Sequence, residues 1–315
     1  MKLVVQIPCL NEEATLPAVL SSIPKKISGI DEIIVLIIDD GSTDRTVEIA
    51  KKHGVTEFVH HPHRMGLAHG FQDGVHRALE LGADIVVNTD GDNQYPQAEI
   101  NRLVAPIIAG KADIVIADRQ TDLISHFSPF KKFLQKAGSQ VVNWAAGTKL
   151  PDAASGFRAY SRSSLLRLNI ITRFSYAMET IIQAGNKNMA IVSVPIETNA
   201  KTRESRLFKS SWEHVRKSGL AIIRAYLMYK PYVVFSVLGV IFFVLGAVPF
   251  LRYLHFYMQH SHRGHLQSLI LGTVFLTGAF FCFALVIISD LIRTNRILQE
   301  ETLEHIKAQR FKKSS

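Results

Sequence analysis

Cysteine is nearly absent: Cys9 and Cys282 are the only two in 315 residues. One falls in a predicted strand and the other in an apolar run, so they define neither a disulfide framework nor a thiolate metal site. No G-x-G-x-x-G follows the first predicted strand and no Walker lysine motif occurs, which excludes the dinucleotide-binding and P-loop classes. The chain enters a strand at once (Leu3 to Ile7), so no signal peptide is expected. Charge is missing from two long stretches, Tyr232 to Leu251 and Ser268 to Ser289. Each is about 20 residues, enough to cross roughly 30 Å of hydrocarbon as a helix. A buried core helix is the alternative for either, but two in tandem predict an integral membrane protein. Neither run holds an ionisable group of the kind that marks a transport pathway, which sets a transporter aside.

Basic charge is abundant, and uneven. The net charge is +9. Lys201, Arg203, Arg206, Lys209, Arg216, Lys217, Arg224 and Lys230 crowd the approach to the first run, against Glu204 and Glu213 alone. Arg293, Arg296, Lys307, Arg310, Lys312 and Lys313 follow the second. The positive-inside bias places both ends, and with them the soluble domain, in the cytoplasm, with two spans between. Basic clusters also suit nucleic acid, but clusters flanking spans are better explained by anionic lipid head groups, so no nucleic-acid partner is expected. Trp212, Val215, Leu220, Ile223 and Tyr226 alternate with cations ahead of the first span, as in a helix lying in the membrane interface. The expected division is 1–200 soluble domain, 201–230 basic linker and interfacial helix, and 231–315 two spans (about 232–251 and 268–289) with a basic tail. Association through the spans into a homo-oligomer is a further expectation.

Along the soluble part, strands and helices alternate. Strands are read at Lys2 to Pro8, Asp31 to Ile38, Val55 to His60, Ala83 to Val87 and Ala112 to Ile116, with helical periodicity between them. Alternation of this kind predicts an α/β fold, a mostly parallel sheet with helices on both faces. Asn11 is placed to cap the first helix, with Glu12 and Glu13 complementing its dipole, and Ser42 or Thr43 to cap the second.

Such sheets bind ligands outside the carboxyl ends of their strands. Acidic groups stand there three times: Glu12, then Asp39 and Asp40, then Asp90 and Asp92. Asp90 and Asp92 are two apart, so in extended geometry both leave one face. With the Gln94 amide they form a hard, all-oxygen set suited to Mg²⁺ or Mn²⁺, where a solvated acidic turn is the plainer alternative. Three acidic strand ends on one edge suggest a metal-assisted nucleotide site. Arg119, after a further strand, is a candidate for phosphate or sugar contact; a surface ion pair with Asp118 or Asp122 is its alternative. His60, His61 and His63 lie before a turn with no partner ligand evident, so zinc is not expected.

The series Pro8-x-x-Asn11-Glu12, Asp39-Asp40-Gly41-Ser42-x-Asp44, Arg64-x-Gly66, Asp90-x-Asp92-x-Gln94-x-Pro96 and Asp152-x-x-Ser155-Gly156-Phe157-Arg158 resembles the family 2 glycosyltransferases of the GT-A fold. With two C-terminal spans, the resemblance is to their polyprenyl-phosphate hexosyltransferase group. It implies inverting transfer of a hexose from GDP- or UDP-hexose to a dolichyl- or undecaprenyl-type polyprenyl phosphate. It further implies that Pro8, Leu10, Asn11, Glu12, Asp39, Asp40, Arg64, Asp90 and Arg119 line the donor site. Asp90, Asp92 and Gln94 would hold the metal, with Asp92 counted also among the catalytic residues.

Asp152 stands where an inverting transferase places a general base. An acceptor phosphate has a second pKa of about 6 and needs little deprotonation, so Asp152 is read either as base or as orienting residue. Arg203, Ser205, Arg206 and Lys209 are placed to hold the acceptor phosphate, with a solvated basic linker as alternative. The Gln-x-x-Arg-Trp motif of processive synthases is absent, which favours one sugar per turnover. A glycan or other lipid hydroxyl acceptor, and a nucleotide-sugar-binding protein without catalysis, are the competing functions.

Overall fold

The computed structural model describes residues 1–121, 129–171, 176–199, 230–259 and 266–312, together with 219, 220, 223, 226 and 227. The chain divides into two compact units, one formed by Met1–Ile223 with Leu303–Ser315 and the other by Arg224–Thr302.

The first unit is built on a seven-stranded sheet of order β3-β2-β1-β4-β6-β5-β7. Its strands are β1 (Lys2–Cys9), β2 (Glu32–Asp39), β3 (Glu57–His60), β4 (Ile85–Asn88), β5 (Ile114–Asp118), β6 (Arg158–Ser161) and β7 (Ile191–Pro195). All pairings are parallel except those of β6, which runs antiparallel to both β4 and β5. The interior of β1 and the whole of β4 are buried on both faces, as their unbroken apolar runs require. The helices are α1 (Leu16–Ser22), α2 (Thr46–Lys52), α3 (Leu67–Glu80), α4 (Ile100–Ile108), α5 (Pro129–Ala146), α6 (Arg162–Arg167) and α7 (Tyr176–Asn186).

Helix α3 lies close to the sheet because it carries glycine where it crosses. A Cβ on Gly74 would come within 2.7 Å of Gln6 Oε1 and 2.9 Å of Ile38 Cδ1. Helices α5 and α7 cross as tightly, since a Cβ on Gly185 would stand 2.1 Å from the Ala146 carbonyl oxygen. The core layer beneath the other face joins Leu3, Val5 and Ile7 of β1 to Leu16, Val19, Leu103 and Val104. Burying a Leu or Val side chain of this kind contributes about 1.5–3 kcal/mol.

The segment Leu303–Lys312 packs within this same unit. Lys307 Nζ donates to the Leu168 carbonyl (2.8 Å) and to Asn169 Oδ1 (2.6 Å). Arg162 donates to the Phe311 carbonyl, and the buried Phe311 ring stacks on His76. Glu304 faces Arg167 at 3.8 Å.

The second unit holds two helices long and apolar enough to cross a membrane, Pro231–Met258 (α8) and a helix of which it contains the larger part, Leu266–Arg310 (α9). Both exceed the charge-free runs of the sequence. Pro249 continues inside α8, and α9 runs on through a charged stretch in which Arg296 pairs with Glu300 at i,i+4. Gly246 and Gly272 meet where the two helices touch, so that a Cβ on either would come within about 3 Å of the opposite backbone.

Candidate active site

The carboxyl ends of β1, β2 and β4 converge on one edge, and loop-to-loop hydrogen bonds lock them together. Asn11 has a left-handed φ of 57°. Its amide donates to Ser42 Oγ (3.0 Å), and its Oδ1 accepts from the Thr43 amide (2.8 Å). The Glu12 amide donates to Thr46 Oγ1 (2.8 Å), and the Glu13 amide to Asp44 Oδ2 (3.1 Å). Asn11 is therefore not the cap of α1. That helix starts at Leu16, past a turn closed on the Glu12 carbonyl. Nor does Ser42 or Thr43 cap α2: Asp44 does that work from two residues upstream, accepting from the Thr46 amide at 2.9 Å. Side chains expected to cap helices instead tie the first strand end to the second.

Glu12 and Asp39 are both buried. Thr15 Oγ1 donates to Glu12 Oε2 (3.1 Å) and to the Gly91 carbonyl (2.8 Å), linking the first strand end to the Asp90–Asp92 loop. Asp39 Oδ1 accepts from the Ser42 amide (2.9 Å), and its Oδ2 lies 3.4 Å from His60 Nδ1. Asp40 accepts from the Met65 amide (2.7 Å), the Gly66 amide and the His61 ring. The two histidines thus have carboxylate partners, Asp39 for His60 and both Asp40 and Asp73 for His61, which their sequence position did not reveal. Pro8 and Leu10 lie at the same strand end, and Arg64 is exposed on the loop that Gly41 packs against.

The Asp90–Gln94 loop is pinned from both sides. Asn88, buried at its start, takes a hydrogen bond from Gln6 Nε2 (2.9 Å) and donates to the Gly156 carbonyl (3.0 Å) and the Tyr176 hydroxyl (2.7 Å). Gln97 Nε2 donates to Thr89 Oγ1 and to the Tyr95 carbonyl. The Gln94 amide donates to Asp92 Oδ1 (3.1 Å), while the Gln94 carbonyl accepts from the Asn199 amide (3.0 Å). Asp90 and Asp92 remain partly exposed. Among the described residues no three or more His, Cys, Asp or Glu side chains cluster as an ion cage. Two part-exposed carboxylates and an amide on one short loop fit a cation that draws its remaining ligands from a bound diphosphate.

Across the edge, Arg119 and Asp152 form a buried two-point pair, Nε to Oδ2 at 2.6 Å and Nη2 to Oδ1 at 2.9 Å. The partner is Asp152 and not Asp118, and Asp122 lies outside the described residues. Burial pushes the Asp152 carboxyl up, but the Arg119 charge and the hydrogen bonds from Arg119 and the Ala154 amide outweigh it, leaving the group below its ordinary range. The loop that carries Asp152 is held by Arg158, which is fully buried. Its guanidinium donates to the carbonyls of Ser155 (2.7 Å), Ala177 (2.7 Å) and Ala153 (2.9 Å) and to Thr180 Oγ1 (2.9 Å). Tyr95 stacks on Phe157, and its hydroxyl accepts from the Gly156 amide (3.3 Å). Beyond the ends of β5 and β7 opens a cavity of about 410 Å³ lined by Pro96, Gln120, Ile196 and Asn199 among others. Arg203, Ser205, Arg206 and Lys209, expected at the acceptor phosphate, lie outside the described residues.

A sheet of this order, with carboxylates at the ends of β1, β2 and β4, is that of a GT-A nucleotide-sugar enzyme. The structure of glucosyl-3-phosphoglycerate synthase from Mycobacterium tuberculosis with Mn²⁺, UDP-glucose and phosphoglyceric acid is similar at a TM-score of 0.51 and 26% identity, over 72% of this chain and 78% of that one. Residues 4–168 match Glycosyl transferase family 2, and the chain belongs to that family. It is 24% identical over 223 residues to the polyprenol monophosphomannose synthase of Mycolicibacterium smegmatis, covering 67% of this chain and 82% of the relative. It is 29% identical over 217 residues to the UDP-N-acetylglucosamine–dolichyl-phosphate N-acetylglucosaminyltransferase of Methanococcus voltae, covering 61% and 83%.

Proposed function

We propose that this glycosyltransferase moves one hexose, with inversion, from a GDP- or UDP-hexose to a polyprenyl phosphate at the cytoplasmic membrane face. The observation that carries this reading is the Arg119–Asp152 pair. A hydroxyl acceptor needs a base to take its proton, and a carboxyl held low by a two-point arginine is a weak one. A phosphate monoester is already largely ionised near neutral pH and needs no base. Arg119 presents a planar fork suited to phosphate, and Asp152 fixes its plane. An acceptor oxygen attacks the anomeric carbon opposite the diphosphate. The bond from that carbon to the diphosphate oxygen breaks, and its electron pair leaves with the nucleoside diphosphate.

Asp90, Asp92 and Gln94 would hold Mg²⁺ or Mn²⁺, which when bound supplies positive charge against the leaving diphosphate. Glu12, Asp39 and Asp40 face the nucleoside. The two apolar helices, the basic residues that flank them and the two lipid-phosphate relatives support a membrane-embedded acceptor. Arg203, Ser205, Arg206 and Lys209 are proposed to hold its phosphate, and Arg206→Glu should then raise the acceptor KM.

The test incubates purified full-length protein in detergent with Mn²⁺ or Mg²⁺, polyprenyl phosphate and a panel of radiolabelled nucleotide-sugars. Label entering the organic phase supports the reading and names the donor. Label released only as free sugar refutes the lipid acceptor, and nucleotide binding without turnover refutes catalysis.

A further inference from the structure

Asp40 is fixed from behind by a side chain that the transfer reaction does not use. His61 leaves the end of β3 and is buried, with 5% of its side chain exposed. Nδ1 of the ring lies 2.9 Å from Asp40 Oδ1, and Nε2 lies 3.1 Å from Asp73 Oδ2 on α3. A carboxylate only accepts, so the ring donates to whichever oxygen its proton faces, and to both when it carries two protons. His69, one turn before Asp73, approaches the same Asp73 oxygen at 3.6 Å and meets the His61 ring edge-on. Gly70 of α3 packs over both, since a Cβ there would stand 3.3 Å from Ile38 Cγ2 and at an ordinary contact distance of 3.8 Å from His61 Cε1.

The remaining bonds of Asp40 show what this support leaves available. Oδ1 takes His61 and the Met65 amide, with a longer contact to the Gly66 amide, whereas among the described residues Oδ2 takes the Gly66 amide alone. A carboxylate oxygen has about two acceptor positions. Oδ2 therefore keeps one, and the side chain is 13% exposed at the strand end. Without His61, Asp40 would be held on one side only, by amides of a loop that begins at the exposed His63 and Arg64.

We propose that His61, braced by Asp73, is a positioning residue for donor recognition: it aims the remaining acceptor position of Asp40 at an N–H of the donor's base. The proposal rests on the donor-site reading of Asp40 given above, and not on the identity of the acceptor. The ring imino N–H of uracil or guanine fits such an acceptor, whereas the corresponding ring nitrogens of cytosine and adenine are themselves acceptors.

The experiment measures UDP, GDP and CDP binding by calorimetry on the full-length protein in detergent, with donor KM, kcat and melting temperature for His61→Leu, His61→Asn and Asp73→Asn. Loss of one aimed hydrogen bond is worth about tenfold in affinity. His61→Leu should therefore weaken UDP or GDP by about that factor, raise the donor KM in parallel and leave kcat within about twofold. His61→Asn, whose amide reaches Asp40 from the Nδ1 side, should restore most of the affinity, and Asp73→Asn should lose about threefold. If His61→Leu does not fold, the Asn and Asp73 variants decide. A lowered melting temperature with donor affinity unchanged overturns the proposal, as does equal loss for UDP, GDP and CDP. Affinity that depends on His61 while no hexose reaches polyprenyl phosphate refutes the acceptor and supports this inference. No nucleotide binding by the unaltered protein overturns both.

Discussion

The two halves of the sheet edge hold their carboxylates in opposite ways. At the ends of β1 and β2, Glu12, Asp39 and Asp40 are steadied by backbone amides, hydroxyls and histidine rings. At the ends of β5 and the loop before β6, Asp152 is steadied by a guanidinium that takes both of its oxygens. Amides fix a carboxylate without spending its charge, so the first half stays an acceptor for a ligand's N–H and O–H groups. A two-point arginine spends the charge, so the second half offers a ligand the arginine. The Asp90–Gln94 loop stands between them. On the proposed reading, the nucleoside meets the first half and an anionic acceptor the second.

The sharpest way to break this comparison is at the shared loop. Asp90→Ala or Asp92→Ala should lower kcat by about 10²–10³-fold, as removal of a main electrostatic contributor does, and EDTA should do the same to the unaltered protein. Retained turnover in either variant would sink the metal assignment. Next comes Arg119→Ala, which leaves Asp152 as a buried unpaired charge and should destabilise the fold by about 3–5 kcal/mol. Arg119→Lys keeps the charge without the fork and should lower kcat/KM for the acceptor by about tenfold, read as a raised acceptor KM.

Asp152→Asn keeps one acceptor for Arg119 and should cost less than about tenfold in kcat; a general base would cost about 10²–10⁴-fold. The same variant tests the acid side of stability. The Asp152 carboxyl is held low in the fold, so its contribution is complete above the unfolded value of about 4 and is lost as pH falls through the lower folded value. Thermal melting between about pH 5 and pH 3 should therefore fall less steeply for Asp152→Asn than for the unaltered protein. The smallest effect is expected at Asp44→Ala, which removes the brace on α2 and should cost about 1 kcal/mol, with turnover nearly unchanged.

The parallel half of the sheet was legible because each strand there is an apolar run that stops at an acidic turn, and β1, β2 and β4 are found within about two residues of where they were read. Strand β6 was not read: four residues after a glycine carry no periodicity, and only the ladder to β4 and β5 makes them a strand. Arg119 and Asp152 were both singled out, but their pairing spans 33 residues of chain and two turns, which spacing does not encode. His61 was passed over for a related reason. Its partners come from the neighbouring strand end and from a helix that starts six residues later, and the register of Asp39 with His60 brings them together. The sequence does set Asp39-Asp40 and His60-His61 at the ends of successive strands. The two apolar helices are legible in their charge-free runs, whereas the length of α9 is not, since its extension is polar and carries i,i+4 pairs such as Arg296–Glu300.

One part of that extension changes how the protein can be taken apart. The catalytic unit owns two separate pieces of chain, because Lys307 and Phe311 seat Leu303–Lys312 against α3 and α6. A single cut within Arg224–Thr302 therefore yields two fragments that each keep a share of one fold. They should co-purify and be assayable as a split enzyme, whereas a cut just before Leu303 should strand a short peptide that only its own groove retains. The two long apolar helices can thus be exchanged as a cassette, provided both seams lie inside that interval.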